Sequence, residues 1–211
     1  MQITVFGASG KVGRLVVAQA LADNYKVVAF AHHNPGFEVH PNLRVVQGDI
    51  HDRKAVSAAI KGSTLVISAL GSWGGKQKDI VSAGIKNIIP VMEAHNISRI
   101  ITLTGADARA SGDYLGPLHR LSHLFIKLSP VKSILHDGEQ HIKLLEASGL
   151  DWTAVRSPAM NNRGRAVSFK LGNTRPKPWT TINRQSVALA IVSLIKETQY
   201  SRQAIFISRS S

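Results

Sequence analysis

The stretch ITVFGASGKVGRLVV, residues 3–17, constrains the fold of this chain most strongly. An apolar run leads directly into Gly7, Gly10 and Gly13, and a helical pattern follows them. A strand, a glycine turn and a helix in this order form a cradle for phosphate groups, because backbone N–H groups at the start of such a helix are unpaired. Gly7 permits the tight turn, Gly10 the close approach of a pyrophosphate, and Gly13 the packing of helix on sheet. The stretch predicts a dinucleotide site, with a glycine-rich turn that holds no ligand as the alternative.

Short apolar runs alternate with helical patterns along the rest of the chain. The alternation predicts an α/β fold in which a doubly wound parallel sheet lies between two helical layers, as a single domain over residues 1–211. Irregular segments at 105–118 and 157–184 are expected at the carboxyl ends of the strands, on the substrate side. The predicted strands are QITVFG, YKVVAFA, LRVVQGD, STLVISALG, RIITLTG, DWTAVRS and AIFIS. The predicted helices cover residues 11–23, 52–62, 79–95 with a kink at Pro90, and the segments HRLSHLFIKL and GEQHIKLLEASG.

The composition excludes several classes of protein. The absence of cysteine excludes disulfides and thiolate metal sites. No apolar run reaches the ~18 residues of a membrane span, and the N-terminal pattern is not that of a signal peptide. We therefore expect a cytoplasmic protein without membrane contact. The net charge of +13 predicts a surface that attracts anions, without selecting among them.

The end of the second strand indicates which dinucleotide is preferred. NAD sites place an acidic residue ~20 residues after the glycines, on the ribose hydroxyls. Here His32 and His33 follow the strand, and no acid occurs before Glu38. Arg14 and His32 are expected to meet a 2′-phosphate, which favours NADP, with NAD as the alternative. An exposed turn at the two histidines, and a solvated helix residue at Arg14, are the competing interpretations.

Two further strand ends belong to the same crevice. Asp49, which ends the third strand with Ile50, either accepts from the adenine amino group or caps the next helix. Small residues after the fourth strand would let the cofactor lie against backbone. The predicted cofactor-binding residues are Gly7, Ser9, Gly10, Lys11, Val12, Gly13, Arg14, His32, Asp49, Ile50, Ala69, Leu70, Gly71, Thr104, Gly105 and Pro158.

These residues resemble those of atypical short-chain dehydrogenases/reductases, in the NAD(P)H-binding group that includes biliverdin reductase B, NmrA-like proteins and bacterial NADH-flavin reductase-like proteins. The matching segments are VFGASGKVG, QGDI, SAGIKNIIPVMEAHNISRIITLTGA, LLEASGLDWTAVRSP and INRQSVALAIVSLI. The resemblance implies a Rossmann-like sheet, a bound NADP or NAD, and a nicotinamide near Thr104 and Pro158.

The catalytic pattern of the wider superfamily is missing. Its Y-x-x-x-K pair would need a lysine four residues after Tyr114, where Leu118 stands. In the group that the chain resembles, a serine commonly follows the fifth-strand threonine, and here that position is Gly105. By the same alignment, Gly138 and Ala159 replace the two active-site histidines of biliverdin reductase B, and His32 replaces a second-strand arginine. Thr104, Tyr114 and His136 remain the candidate catalytic residues.

Three other patterns leave alternatives open. His119 and His123 have the i, i+4 spacing of a metal pair, but no carboxylate pattern supports one and we expect no metal. His136 and His141 are interpreted either as proton donors or as surface histidines. Between Arg156 and Arg184 seven basic residues occur without an acid, which suits an anionic substrate, a solvated surface or, as the weaker option, a nucleic acid.

The preferred function is hydride transfer from NADPH to a flavin, quinone or similar small acceptor. The alternative is a regulator that senses NAD(P) without catalysis and acts through a protein partner. We expect a monomer or a homodimer.

Overall fold

The computed structural model describes residues 1–72, 77–163, 166 and 168–210. The strands are β1 Gln2–Phe6, β2 Lys26–Ala31, β3 Leu43–Gln47, β4 Leu65–Ser68, β5 Arg99–Gly105, β6 Asp151–Ser157, β7 Ala159–Asn161, β8 Phe169–Gly172, β9 Thr181–Asn183 and β10 Gln203–Arg209. The helices are α1 Gly13–Ala22, α2 Arg53–Ile60, α3 Ile80–Ala94, α4 Pro117–Leu128, α5 Lys132–Ala147 and α6 Arg184–Ser193.

The main sheet has eight strands in the order β3-β2-β1-β4-β5-β6-β10-β8. Every neighbouring pair is parallel except β10 and β8, which are antiparallel. This confirms the predicted doubly wound parallel sheet and adds one antiparallel edge strand. The strand order reverses between β1 and β4, and in open sheets the ligand crevice lies at the carboxyl ends of the strands beside such a reversal.

Two apolar layers cover the two faces of the sheet. On one face α1 and α6 pack on residues such as Ile3 and Val5 of β1. On the other face α2, α3 and α5 pack on the alternate residues, for example Phe6 of β1 and Val66 of β4. Both faces of the central strands are buried because successive side chains point to opposite sides. The edge strand β3 is the exception, since none of its five residues is buried.

Several helix boundaries follow from local capping. Asp52 is the N-cap of α2, and its carboxylate accepts a hydrogen bond from the Lys54 N–H at 2.8 Å. Asp49 therefore does not cap this helix, and its side chain instead accepts from the His51 N–H at 2.9 Å. Helix α3 continues through Pro90 as a single 15-residue helix.

Segment 157–184, which was predicted to be irregular, includes three short strands. It contains β7 and β9, which form a separate parallel pair, and β8, which closes the edge of the main sheet. The prediction of one long irregular segment is therefore wrong, because strands this short show no clear periodicity. Each helix within the described ranges is too short or too polar to span a lipid bilayer.

Candidate cofactor-binding site

The glycine loop joins β1 to α1 by close backbone contacts that leave no room for a side chain at Gly7 or Gly13. Gly7 has a φ of +73°, and a Cβ built on it would come within 2.7 Å of the Ala69 carbonyl oxygen. A Cβ on Gly13 would lie 2.1 Å from the Gly7 carbonyl oxygen. Such separations are far inside van der Waals contact, so both positions require glycine. Gly10 is less constrained, because its Cβ would lie 3.1 Å from the same oxygen.

The outer side of this loop is open to solvent. Ser9, Gly10 and Lys11 are exposed, and the N-cap residue Val12 provides no side-chain hydrogen bond to the start of α1. The first N–H groups of a helix lack partners within the helix and attract anions. A cradle with tight inner contacts and an accessible helix start fits the pyrophosphate of a dinucleotide.

The walls beside the loop come from the ends of β3 and β4. Ala69 donates its backbone N–H to the Phe6 carbonyl at 3.0 Å, which continues the β1–β4 ladder past the end of β4. Helix α3 approaches this wall closely, since a Cβ on Gly84 would lie 2.4 Å from Leu70 Cδ1 and 3.2 Å from Ile50 Cγ1. The structure thus brings Ile50, Leu70 and the glycine loop to one edge of the sheet.

The ends of β2 and β3 place two histidines and one acid together. His32 Nδ1 lies 2.9 Å from His33 Nε2, and His32 Nε2 lies 3.8 Å from Asp49 Oδ2. Both His32 and Asp49 are more than half exposed, so this group faces solvent. The sequence predicted Asp49 as a site residue but not its proximity to His32, because Asp49 follows β3, the strand beside β2.

Arg14 holds the connection that follows β2 against the glycine loop. Its Nε donates to the Ser9 carbonyl at 3.2 Å, Nη2 donates to the Pro35 carbonyl, and the guanidinium lies 5.3 Å from the centre of the Phe37 ring. Arg14 is therefore not simply a solvated helix residue. Its contact with a 2′-phosphate stays a prediction.

At the other end of the crevice, β5 and β6 bring Thr104 and Pro158 together. Thr104 is half-buried, Gly105 is exposed and Pro158 is buried. Helix α5 lies directly against this point, since a Cβ on Gly138 would come within 2.7 Å of Thr104 Oγ1. The absence of a side chain at 138 is therefore what allows α5 to approach the Thr104 hydroxyl.

A buried carboxylate of α5 ties the crevice wall to α3. Asp137 accepts hydrogen bonds from Ser72 Oγ at 2.6 Å and from the backbone N–H groups of Val81 and Ser82 at 3.2 and 2.8 Å. Asp79, the N-cap residue of α3, makes no capping bond with its own side chain. Asp137 thus caps α3 from another helix, a role that the sequence pattern did not reveal.

The histidines of α4 and α5 differ sharply in exposure. His136 is exposed, whereas His141 is fully buried and its two ring nitrogens have no hydrogen-bond partner among the described residues. The interpretation of His141 as a surface residue is therefore wrong. Burial lowers the pKa of His141 to about 4, although Asp137 opposes the shift, so its ring is neutral at pH 7.

The two metal-spaced histidines of α4 contact different groups. His119 Nε2 lies 3.2 Å from the Pro176 carbonyl oxygen, whereas His123 Nε2 lies 3.7 Å from Glu139 Oε1. Burial is also the largest cause of the lowered pKa of His123. No group of three or more histidines and carboxylates suited to a metal occurs within the described ranges.

Tyr114 precedes α4 and is 79% exposed, on the loop that follows β5. Because α4 begins at Pro117, Tyr114 and Leu118 do not lie on successive turns of one helix. Tyr114 borders a groove of about 450 Å³ together with Arg109, Arg120 and His123. The glycine loop does not contribute to this groove.

Two of the seven basic residues between Arg156 and Arg184 are internal rather than exposed on the surface. Arg156 and Arg175 both pair with the Asp113 carboxylate, and their guanidinium groups lie 3.8 and 4.7 Å from the centre of the Phe206 ring. These two cations hold the loop after β5 against β6 and β10. The interpretation as a uniformly solvated or ligand-binding stretch is therefore wrong for them. Arg165, another of the seven cations, lies outside the described residues.

Comparison with known proteins identifies the family. A family model described as NAD(P)H-binding matches residues 7–198. The chain belongs to this NAD(P)H-binding family. The match begins at the first glycine of the loop and includes all the strand ends described above.

Relatives of this NAD(P)H-binding protein share its fold at low sequence identity. A short-chain dehydrogenase/reductase from Veillonella parvula, solved in complex with NADP, superposes with a TM-score of 0.82 at 18% identity, over 100% of this chain and 95% of that one. An anaerobilin reductase from Escherichia coli O157:H7 superposes with a TM-score of 0.78 at 22% identity, over 100% and 98%. These likenesses confirm the Rossmann-like fold.

An uncharacterised protein of Mycobacterium tuberculosis is 31% identical over 102 residues, or 48% of this chain. The match spans only 12% of that relative's length.

The glycine contacts predict a large effect for Gly13→Ala. The added methyl group would meet the Gly7 carbonyl, so either the loop or α1 must move, at a cost of about 1–3 kcal/mol in the free energy of unfolding. We expect NADPH affinity, measured by cofactor fluorescence, to fall at least about tenfold. Gly116→Ala is the matched control, because a Cβ there meets nothing within 4 Å. Unchanged NADPH affinity in Gly13→Ala would contradict this account of the loop.

The buried His141 predicts acid sensitivity of the fold. The pKa of His141 in the folded chain lies below its unfolded value of 6.5. Between these two pKa values the imidazole is protonated in the unfolded chain and neutral in the folded chain. The free energy of unfolding should therefore fall as pH drops from 6.5 toward 4, by about 2 kcal/mol at pH 5.

Urea unfolding at neutral pH and at about pH 5 measures this loss. In His141→Leu the difference between the two pH values should shrink by about 2 kcal/mol, whatever the absolute stability of the variant. His136→Gln, at an exposed position of the same helix, should leave the difference unchanged. An identical pH difference in wild type and His141→Leu would refute the assignment.

Proposed function

We propose that this protein is a reductase that uses NADPH to reduce a flavin, quinone or similar small acceptor. The proposal depends on one observation: the glycine cradle excludes a Cβ at Gly7 and Gly13 and lies at the switch point of the sheet, between the ends of β1 and β4. A cradle shaped in this way suits a dinucleotide, and Gly105 at the end of β5 is exposed. The family membership supports the cofactor, and the acceptor class is our inference.

Different residues of the crevice would bind different parts of the cofactor. Amides of the glycine loop and the start of α1 would hold the pyrophosphate, and Ile50, Ala69 and Leu70 would border the adenosine. Pro158 and Gly105 would flank the nicotinamide. When bound, the reduced cofactor supplies a hydride, which carries two electrons. The Thr104 hydroxyl would donate a hydrogen bond to the cofactor carboxamide or to an acceptor oxygen.

The absence of the superfamily's tyrosine–lysine pair favours acceptors that do not need a strong protein acid. A quinone or flavin that takes up a hydride can gain its proton from water, so the protein has only to position it and exclude competing reactions. Alcohol and sugar substrates need a general acid or base. Tyr114 and His136 stay candidates for proton donation, and both are exposed.

A preference for NADP over NAD is part of the proposal. The two histidines at the end of β2 suit a phosphate, and β2 itself carries no acidic residue. Asp49 lies 3.8 Å from His32 and works against a second anion. We propose that the histidine pair and the excess of positive charge outweigh this single, half-exposed carboxylate. NADH remains the competing cofactor.

A non-catalytic sensor of NAD(P) is the second candidate. The missing Y-x-x-x-K pair favours it, because a sensor needs the cradle and no proton donor. Such a protein would bind the cofactor tightly, turn over no acceptor and act through a protein partner. Nucleic-acid binding is a weaker candidate, since two cations of the basic segment are already paired with Asp113. A cytoplasmic location stays a prediction.

Turnover tests the reductase directly. With menadione or riboflavin, we expect steady NADPH oxidation, followed as loss of the reduced-cofactor absorbance. Thr104→Val keeps the shape of the side chain and removes one hydrogen bond, so kcat/KM should fall about three- to tenfold. Thr102→Val is the matched control on the same strand, because the Thr102 hydroxyl is buried and has no partner among the described residues. Tight NADPH binding without turnover across a panel of acceptors would favour the sensor instead.

Cofactor preference has its own test in His32→Asp. A negative charge at the end of β2 should repel a 2′-phosphate, and at 4–5 Å this costs about 1–4 kcal/mol. We expect the ratio of NADPH to NADH affinity to fall about tenfold or more. Val39→Asp adds the same charge at a fully exposed position of the following connection and should change the ratio little. An unchanged ratio in His32→Asp would remove His32 from the 2′-phosphate site.

A further inference from the structure

Helix α4 turns its most apolar face away from the protein. Five large apolar side chains of this helix are between 44% and 78% exposed. Four of them, at 118, 121, 125 and 128, have the spacing of one continuous helical stripe. Helices on the surface of a soluble protein normally bury this stripe. We call the set the α4 apolar face: Leu118, Leu121, Leu124, Phe125 and Leu128.

The inward side of the same helix is the more polar one. His119, Ser122, His123 and Ile126 are buried or half-buried against the protein. Two of these four make polar contacts across the boundary, His119 with the Pro176 carbonyl and His123 with Glu139. These contacts to two separate segments fix which side of α4 faces inward. The outward direction of the apolar face is therefore set by the fold.

The surroundings of the α4 apolar face are positively charged. No acidic residue occurs between positions 114 and 136, whereas Arg120, Lys127 and Lys132 do, and all three are exposed. The acids at the two ends of this segment are already engaged: Asp113 pairs with two arginines, and Asp137 is buried. Within segment 114–136 the apolar face is accompanied only by cations, and an apolar helix face beside cations is the pattern of helices that lie on anionic membranes.

Two exposed aromatic residues flank this region. Tyr114 is 79% exposed, and its ring centre lies 5.9 Å from the Arg120 guanidinium carbon. Trp179 is 66% exposed, on the segment that His119 holds through Pro176. Tyrosine and tryptophan are enriched at the boundary between lipid and water, because one end of each ring is apolar and the other is polar.

We propose that the α4 apolar face docks on the surface of an anionic lipid bilayer. The 12 residues of α4 span about 18 Å, too short for a ~30 Å hydrocarbon core, so the helix would lie in the plane of the headgroups. A second copy of this chain would present the same cations and be repelled, whereas anionic lipid is attracted. The proposal replaces the sequence-based expectation of no membrane contact, and it does not depend on the reductase activity.

Vesicle flotation of the purified protein tests the proposal without cofactor. We expect it to float with vesicles of phosphatidylcholine mixed with phosphatidylglycerol, and much less with phosphatidylcholine alone. Leu121→Gln/Phe125→Gln should lower the bound fraction at least about tenfold, since both apolar side chains would be buried in the bilayer surface. Lys127→Gln/Lys132→Gln should weaken binding and its sensitivity to salt.

Matched controls distinguish binding through the α4 apolar face from non-specific binding through other exposed apolar residues or cations. Val39→Gln/Val45→Gln removes two exposed apolar residues on the β3 side, and Lys61→Gln/Lys196→Gln removes two exposed cations elsewhere. Both should float like wild type, and all variants should keep the wild-type far-UV circular dichroism, because every substituted side chain is exposed.

Failure of the wild type to float with anionic vesicles overturns the proposal. So does equal flotation of Leu121→Gln/Phe125→Gln and wild type. A dimer in light scattering that Leu121→Gln/Phe125→Gln converts to monomer, without vesicle binding, would reassign the face to a contact between copies and overturn it as well.

Discussion

The contact between the Gly7 carbonyl and the backbone of Gly13 is the constraint on which the site depends. It brings the start of α1 over the end of β1, at a separation that no side chain at 13 would allow. Since β1 lies in the middle of the sheet and beside the point where the strand order reverses, the same contact fixes where the crevice opens. The ends of β4, β5 and β6 then supply the remaining walls in order. The cradle is thus built from backbone contacts at Gly7 and Gly13, without the help of side chains at those positions.

Much of this arrangement could be predicted from the sequence, and the reason is local. The segments RIITLTG and DWTAVRS coincide with β5 and β6 because each is a short, β-rich apolar run bounded by loops. The glycine loop was also predictable, since its conformation is determined by residues within one turn of it. Asp52 and Asn183 are helix N-caps whose side chains accept from the second residue beyond them, which is again a local rule.

The sequence could not show contacts between distant segments. Asp113 pairs with Arg156 and Arg175, which lie 43 and 62 positions further along the chain, so two cations that look solvated in the sequence are internal. His141 looks like a polar position of an amphipathic helix, but its burial is decided by α3 and the sheet against which α5 packs. The proximity of Asp49 to His32 was not predicted for the same reason, because Asp49 follows the neighbouring strand β3. The strands of 157–184 are too short for a periodic signal.

The position of Asp137 in the sequence also affects when its contacts can form during synthesis of the chain. Its partners Ser72 and Val81 precede it by 65 and 56 residues, so the first half of the chain is synthesised before the group that secures the segment after β4 exists. At about 5–20 residues per second, translation needs several seconds to cover that gap. During this interval the glycine loop and its strand can already be paired, while the opposite wall waits for α5. A nascent chain that ends before residue 137 therefore lacks the carboxylate that anchors this wall of the crevice.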